Sequence, residues 1–228
     1  MLGIDSSVRI PLADLKLMAN FGVRWVGRYY CPPDAPKRLV AAEVADVAEA
    51  GLYLLSVWEA NPTYPAYFTE QNGVRDGVQA RQQAQAAEQP NASVIHLAVD
   101  VGLTGNALQG ISAYLSAFAD AVAPYGAGIY GSGPVLQYAS GPKVRSRWQT
   151  LAWSGGRLMG GADVYQVAES VTIAGVTVDL DWARTTSPLW VPLGMVPVPQ
   201  DPDAALWQAN YTQRVQQAVD AALRSVTL

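Results

Sequence analysis

Residues 94–100, Val-Ile-His-Leu-Ala-Val-Asp, form an apolar run of strand length that ends on a carboxylate. Such an unbroken run, with β-branched residues at its start, fits a strand buried on both faces, as in a parallel sheet covered by helices. Asp100 then stands at the strand's C-terminal edge, where α/β barrels and open α/β sheets gather their chemistry. Four other segments have the same form. Residues 2–5 end on Asp5, 23–28 on Arg28, 53–59 on Glu59, and 176–181 on Asp181 with Asp179 two residues before it. Strands that each deliver an acid or a base predict a ring of polar groups around one cleft.

Between these strands the sequence supplies helices. Residues 11–18, 37–50, 73–88, 104–123 and a short stretch near 135–138 read as helical. Gly51 is placed as a C-cap. Leu108, Ile111, Leu115, Phe118 and Val122 recur at three- and four-residue spacing along one face. With a further strand at 125–130, strand and helix alternate five times. The pattern then changes. Residues 148–153, 162–166 and 176–181 read as three more strands, and the link from Gln166 to Val176 is too short for the crossover of about a dozen residues that parallel strands need. The expected fold is α/β: a TIM-like (β/α) barrel of eight strands, with outer helices reduced in the last third, plus a C-terminal helix. At 228 residues and 50% hydrophobic, the chain is sufficient for one such core. The barrel is expected over 1–187. Residues 188–228 are expected to form a proline-rich extension and a helix starting at Asp201 and Pro202. That helix has a stripe of Trp207, Tyr211, Val215, Val219 and Leu223, and packs on the barrel or on a protein partner.

Composition removes several classes of function. The net charge is −4 and Lys and Arg form no block, so no electrostatic footprint for nucleic acid is present. A single cysteine, Cys31, and a single histidine, His96, leave no disulfide framework and no common zinc site. Neither a metal nor a cofactor is expected. No apolar run is long enough to span a bilayer, and no signal peptide is visible after Met1. Synthesis in the cytoplasm is therefore expected, with any action outside the cell reached by lysis, on a phage particle or by a non-standard export route.

Val-Tyr-Gln-Val at 164–167, followed by Val-Thr-Ile-Ala-Gly-Val-Thr-Val-Asp-Leu-Asp at 171–181, resembles the C-terminal end of the family 25 glycoside hydrolases, lysozyme-like muramidases that cut the glycan of peptidoglycan. Gly-Ile-Asp at 3–5, Gly-Ile-Tyr at 128–130 and Leu-Ala-Trp at 151–153 resemble other strands of that family. Gly-Arg-Tyr-Tyr at 27–30, Glu43 in a helix, Gly51-Leu52, the helix from Gly73 and Ala-Val-Asp at 98–100 are similar to a sister group, the glycoside-hydrolase-like domains of actinobacteria and their phages. The resemblance runs over roughly 2–183. It implies an eight-strand barrel with five helices, and a glycan or peptidoglycan as partner. It also contains a departure. The family ends its fourth strand on aspartate, any residue, glutamate, and that glutamate is the proton donor, whereas this chain has Asp100-Val101-Gly102.

Hydrolysis of a glycosidic bond generally needs one protonated carboxyl and one ionised carboxylate, and clustering acids pushes one pKa up while its neighbour stays charged. Glu59 is the candidate acid and Asp100 the stabiliser or base, with Asp5 and Asp179 tuning both. Around them, Arg28 is read as a salt-bridge partner for the acids or a ligand for a substrate carboxylate. Tyr130 and Gln166 are candidates for sugar hydroxyls. Tyr29, Trp58 and Trp153 are candidates for stacking on sugar rings. Asp179 and Asp181 lie two apart on one strand and so share a side, one expected to face the cleft and the other to cap a turn. His96, in mid-strand, reads as a core histidine. Two functional readings stand: a cell-wall glycan hydrolase, and a barrel that binds glycan without cutting it, as a structural part of a phage particle or cell envelope. An unrelated barrel enzyme acting on a small substrate is a third.

Overall fold

The computed structural model describes residues 1–33, 35–139 and 141–195. Its strands β1 (Leu2–Asp5), β2 (Trp25–Tyr30), β3 (Tyr53–Trp58), β4 (Val94–Val99), β5 (Gly126–Gly131), β6 (Val144–Gln149), β7 (Val164–Ile173) and β8 (Val176–Ala183) close into one barrel in sequence order. Helices α1 (Leu12–Asn20), α2 (Ala41–Glu49), α3 (Glu70–Ala86), α4 (Gln109–Val122) and α5 (Gly133–Tyr138) follow the first five strands. Strands β1 to β7 run parallel. β8 is antiparallel to both its neighbours, joined to β7 by a hairpin and to β1 by the closing ladder. This is the expected α/β barrel with its last third stripped of helices. Among the described residues, no helix is long and apolar enough to cross a membrane.

Alternation along the strands divides the core in two. Ile4, Val26, Leu54, Leu97 and Ile129 point outward under the helices with Met18, Val47, Ile111 and Phe118. Trp25, Leu55, Val57, Ala98, Trp148 and Val164 point inward and fill the barrel itself. Four aromatic rings, Trp25, His96, Tyr130 and Trp148, dominate this interior, and glycines make room for them. A Cβ on Gly3 would stand 1.9 Å from the Trp25 indole, and one on Gly128 2.6 Å from His96. Trp148 lies at the centre, edge-on to Trp25, His96 and Tyr130 with ring centroids 6.1, 5.9 and 4.8 Å away. His96 is fully buried, bonds Ser146 Oγ at 2.9 Å, and has its pKa pushed down to about 4 by burial.

Several boundaries differ from expectation, each through contacts that a local pattern does not contain. The second helix begins at Ala41, because Arg38 bridges Tyr29 and the Leu39 N–H bonds the Tyr29 carbonyl at 2.8 Å. Residues 37–39 therefore run along the end of β2. α3 starts earlier than Gly73, its N-cap Thr69 accepting from the Asn72 N–H at 3.2 Å. The helix expected from 104 opens with a 3-10 turn, Gly105–Leu108, before α4. The expected strand 148–153 is displaced toward the N-terminus: β6 ends at Gln149, and Trp153 lies in a run of turns beyond it. From the expected extension, Leu189 is buried beneath the interior cluster, and Trp190 pairs with Leu54 in antiparallel fashion. The C-terminal helix expected from Asp201 lies outside the described residues.

Candidate active site

The inward positions at the C-terminal ends of the strands bring the acids together. Asp5 stands opposite Asp179 in the β1–β8 ladder, and Asp181 stands opposite Gly3 one step deeper. Gln166, inward on β7, ties the set: its Nε2 donates to Asp179 Oδ2 at 3.0 Å and to Asp5 Oδ2 at 3.5 Å, while its Oε1 accepts from the Thr150 hydroxyl at 2.8 Å. Tyr29 donates from its hydroxyl to Asp5 Oδ1 at 2.8 Å. Asp179 Oδ1 accepts from the Ser170 N–H at 2.7 Å, and Asp181 Oδ1 accepts from the Trp148 indole at 2.9 Å. Asp179 and Asp181 thus share the inner side as alternation requires, and neither caps a turn in place of facing inward.

The electrostatics follow from burial. Asp5 is 5% exposed and Asp181 is fully buried. Burial first, and then the neighbouring Asp179 charge, push the Asp5 carboxyl up to about 6, against the pull of the Tyr29, Asp181 and Gln166 hydrogen bonds. Burial and the charge of Asp5 hold Asp181 well above the carboxylate range. Asp181 Oδ2 is buried with no donor among the described residues. Burial, and then the charge of Asp5 on Asp181, make the pair favour holding a proton over ionising at both positions. Burial, reinforced by Asp5, also raises the Tyr29 and Tyr130 hydroxyls well above their ordinary value, so both stay protonated.

Glu59 and Asp100 occupy the rim on the adjacent strands β3 and β4. Glu59 forms an ion pair with Lys37, whose ammonium also lies over the Tyr29 ring at 4.9 Å from the centroid. Asp100 accepts from the Trp153 indole N–H at 3.2 Å. Trp153 is 58% exposed and lies against Gly102, where a Cβ would stand 3.2 Å from its ring. Tyr130 lies inward beside Trp148.

Two candidates point elsewhere. Arg28 is on the outer side of β2, buried, and bonded to Glu43 of α2 at 2.5 and 3.2 Å and to the Ser6 carbonyl. Its partner is an acid behind the barrel wall and not one in the cleft, because alternation puts position 28 on the opposite side from Gly27 and Tyr29. Trp58 also points outward and packs in the outer core, 1% exposed. Sequence reasoning did not single out Lys37, Thr150 or Trp148. Trp148 was legible in principle as an inward position of β6. Lys37 reaches the rim only through the backbone bridge at the end of β2. Among the described residues, no group of three or more His, Cys, Asp or Glu is arranged to hold a metal ion.

A parallel barrel closed by an antiparallel hairpin, with acids from its first, fourth and last strands at the C-terminal mouth, defines a glycoside-hydrolase-like barrel. The chain belongs to the Rv2525c-like, glycoside hydrolase-like domain family, whose model matches residues 16–183. Among solved structures, it is similar to the Tat-secreted protein Rv2525c of Mycobacterium tuberculosis in complex with L-tartrate (19% identity, TM-score 0.70, covering 81% of this chain and 95% of that one). The modular autolysin LytC of Streptococcus pneumoniae matches at 13% identity with a TM-score of 0.57, over 83% of this chain and 46% of that one. The bacterial lysozyme of Streptomyces coelicolor matches at 13% identity and 0.54, over 81% and 92%. At such identities the likeness is one of fold. No protein of curated function matches the sequence.

Proposed function

We propose that this chain is a glycan-directed glycoside-hydrolase-like protein that acts on peptidoglycan, with acid–base hydrolysis carried by the clustered carboxylates. The observation that carries the reading is the Asp5–Asp181 pair. It combines full or near-full burial, an oxygen without a donor and a raised carboxyl at the mouth of a barrel of this family. Hydrolysis needs a proton held on one carboxyl at neutral pH and a charge kept on another. In this scheme the proton held by the pair is the first, passing from Asp5 to the Tyr29 oxygen as the Tyr29 hydroxyl turns and gives its own proton to the leaving oxygen, and Asp100 is the second. Glu59 is the weaker candidate for proton donor, since both it and Lys37 are engaged in an ion pair at the rim. Structures of similar fold include LytC in complex with a synthetic peptidoglycan ligand, which supports the choice of substrate class. The Tat-secreted relative supports an exported protein facing the wall.

A second reading has its own observation. Position 102 is glycine where family 25 enzymes carry their donor, and the Trp153 ring lies over it. That favours a barrel that binds glycan and does not cut it. Incubation with purified peptidoglycan, followed by mass spectrometry for new reducing ends, separates the two. Release by the parent, its loss in Asp5→Asn and its persistence in Glu59→Gln are the results expected of the first reading. Retention on sedimented wall without release establishes the second, and neither release nor retention removes both.

A further inference from the structure

Trp153 has a backbone φ of 60° and is 58% exposed. The left-handed region is disfavoured for any residue with a Cβ, and for a bulky one it is an outlier. Burial of the ring does not offset that cost here. A strained, solvent-facing aromatic at the mouth of the barrel is the kind of outlier from which a binding role is inferred. The indole is also held in place. Its N–H is fixed by Asp100, and its ring lies against Gly102. The turn that carries it is anchored by the Ala152 N–H on Thr150 Oγ1 at 3.2 Å, by Ser154 Oγ on the Thr150 carbonyl at 2.7 Å, and by the Gly133 N–H on Ser154 Oγ at 3.1 Å. Thr150 in turn donates to Gln166, which bonds Asp5 and Asp179. One hydrogen-bonded chain therefore runs from the acid cluster to the turn that carries the exposed ring.

We propose that Trp153 and Asp100 form a preorganised platform for a neutral pyranose ring, with the indole standing where a side chain at position 102 would project. The chemistry selects the ligand. An indole takes the apolar C–H face of a sugar ring, while a neighbouring carboxylate accepts from its hydroxyls. The acids at the same mouth, Asp100 itself and the half-buried Asp179, disfavour an anionic ring, which points to the uncharged N-acetylated sugar of an alternating wall glycan. This rests on the glycan reading proposed above.

Co-sedimentation of the full chain with purified peptidoglycan tests it, using Trp153→Ala, Trp153→Phe and Trp153→Gly. Stacking of this kind is expected to make Trp153→Ala bind about 10-fold more weakly, whereas Trp153→Phe stays within about 3-fold of the parent. Trp153→Gly is expected to lose binding as Ala does while melting about 2–4 °C higher, because glycine relieves the left-handed backbone. A residue with only a structural role would lose stability with the contact and not gain it. Binding of Trp153→Ala equal to that of the parent overturns the platform and leaves the glycan reading in place. No retention of the parent overturns both.

Discussion

Asp5 sits where a neutral carboxyl is better accommodated than a charged one, and this has a thermodynamic consequence. With an ordinary value of 3.8 and a folded value of about 6, the folded chain holds this proton more tightly than the unfolded chain does. The group therefore favours folding fully below about pH 4, and that contribution is lost as pH rises through about 6. His96 has the opposite sign. Its value falls from 6.5 to about 4, so it stabilises above the ordinary value and that stability is lost as pH falls through the folded one. The two slopes oppose one another across the same window. Asp5→Asn keeps the acceptor for Tyr29 and removes the charge, so it is expected to raise stability at neutral pH by up to about 3 kcal/mol, the equivalent of a two-unit shift. It is also expected to leave the His96 slope uncompensated, so that the variant loses stability on acidification more steeply than the parent. Melting temperatures across this range check both points, and parallel profiles for the two proteins would remove the proton held by the pair from the site.

At the level of elements, β3 is completed by the chain that leaves the barrel. β4 covers β3 only from Ser56 to Trp58, leaving Leu54 unpaired on that side. Trp190 supplies the missing partner: its carbonyl and N–H bond Leu54 at 3.0 and 2.8 Å, and its indole donates to Ser56 Oγ at 2.9 Å. The ring is 2% exposed. Trp190→Ala is expected to cost about 3–5 kcal/mol, as for other buried tryptophans, lowering the urea midpoint and exposing the Leu54 amide to hydrogen exchange. An unchanged midpoint would mean that the barrel is complete without residues 188–190. The same contrast between local and distant contacts explains what was legible in the sequence. Five of the eight barrel strands announce themselves because each is an apolar run ending on a polar residue, so Asp5, Asp100 and Asp179 could be placed at one mouth from their order alone. Trp153 extended the apolar pattern of β6 by several residues, although Gly155 and Gly156, both at positive φ, mark the turns that follow it. Arg28 and Trp58 were candidates because they end strands, yet their parity along the strand turns them outward. Lys37 was illegible because a bridge to Tyr29, distant in its hydrogen bonding and not in its pattern, carries it to the rim.

Across the whole molecule, losing the last helices and reversing β8 serve the same arrangement. The hairpin sets Asp179 against Asp5 and places Asp181 one pair deeper, so the acids of the first and last strands converge at the seam where the barrel closes. The seam is well furnished, and the opposite wall is not. There, Gly102 follows Asp100, and the Trp153 ring stands 3.2 Å from any Cβ placed on it. Positions 102 and 153 are therefore coupled: a side chain at 102 requires the indole to shift, and removing the indole alone supplies no acid. A double-mutant cycle reads that coupling directly. Gly102→Glu alone is expected to gain nothing, since its side chain meets the ring, and Trp153→Gly alone is expected to weaken wall binding. The double variant gains both the carboxyl and the space for it. In a barrel that binds glycan without cutting it, the absent general acid is worth about 10²–10⁴-fold, so under that second reading the double variant is expected to release reducing ends from peptidoglycan at least about 10²-fold faster than the parent and than either single variant. Release no faster than the parent would mean that the missing acid is not what sets the rate of this barrel, and that the limit lies in how the glycan is held.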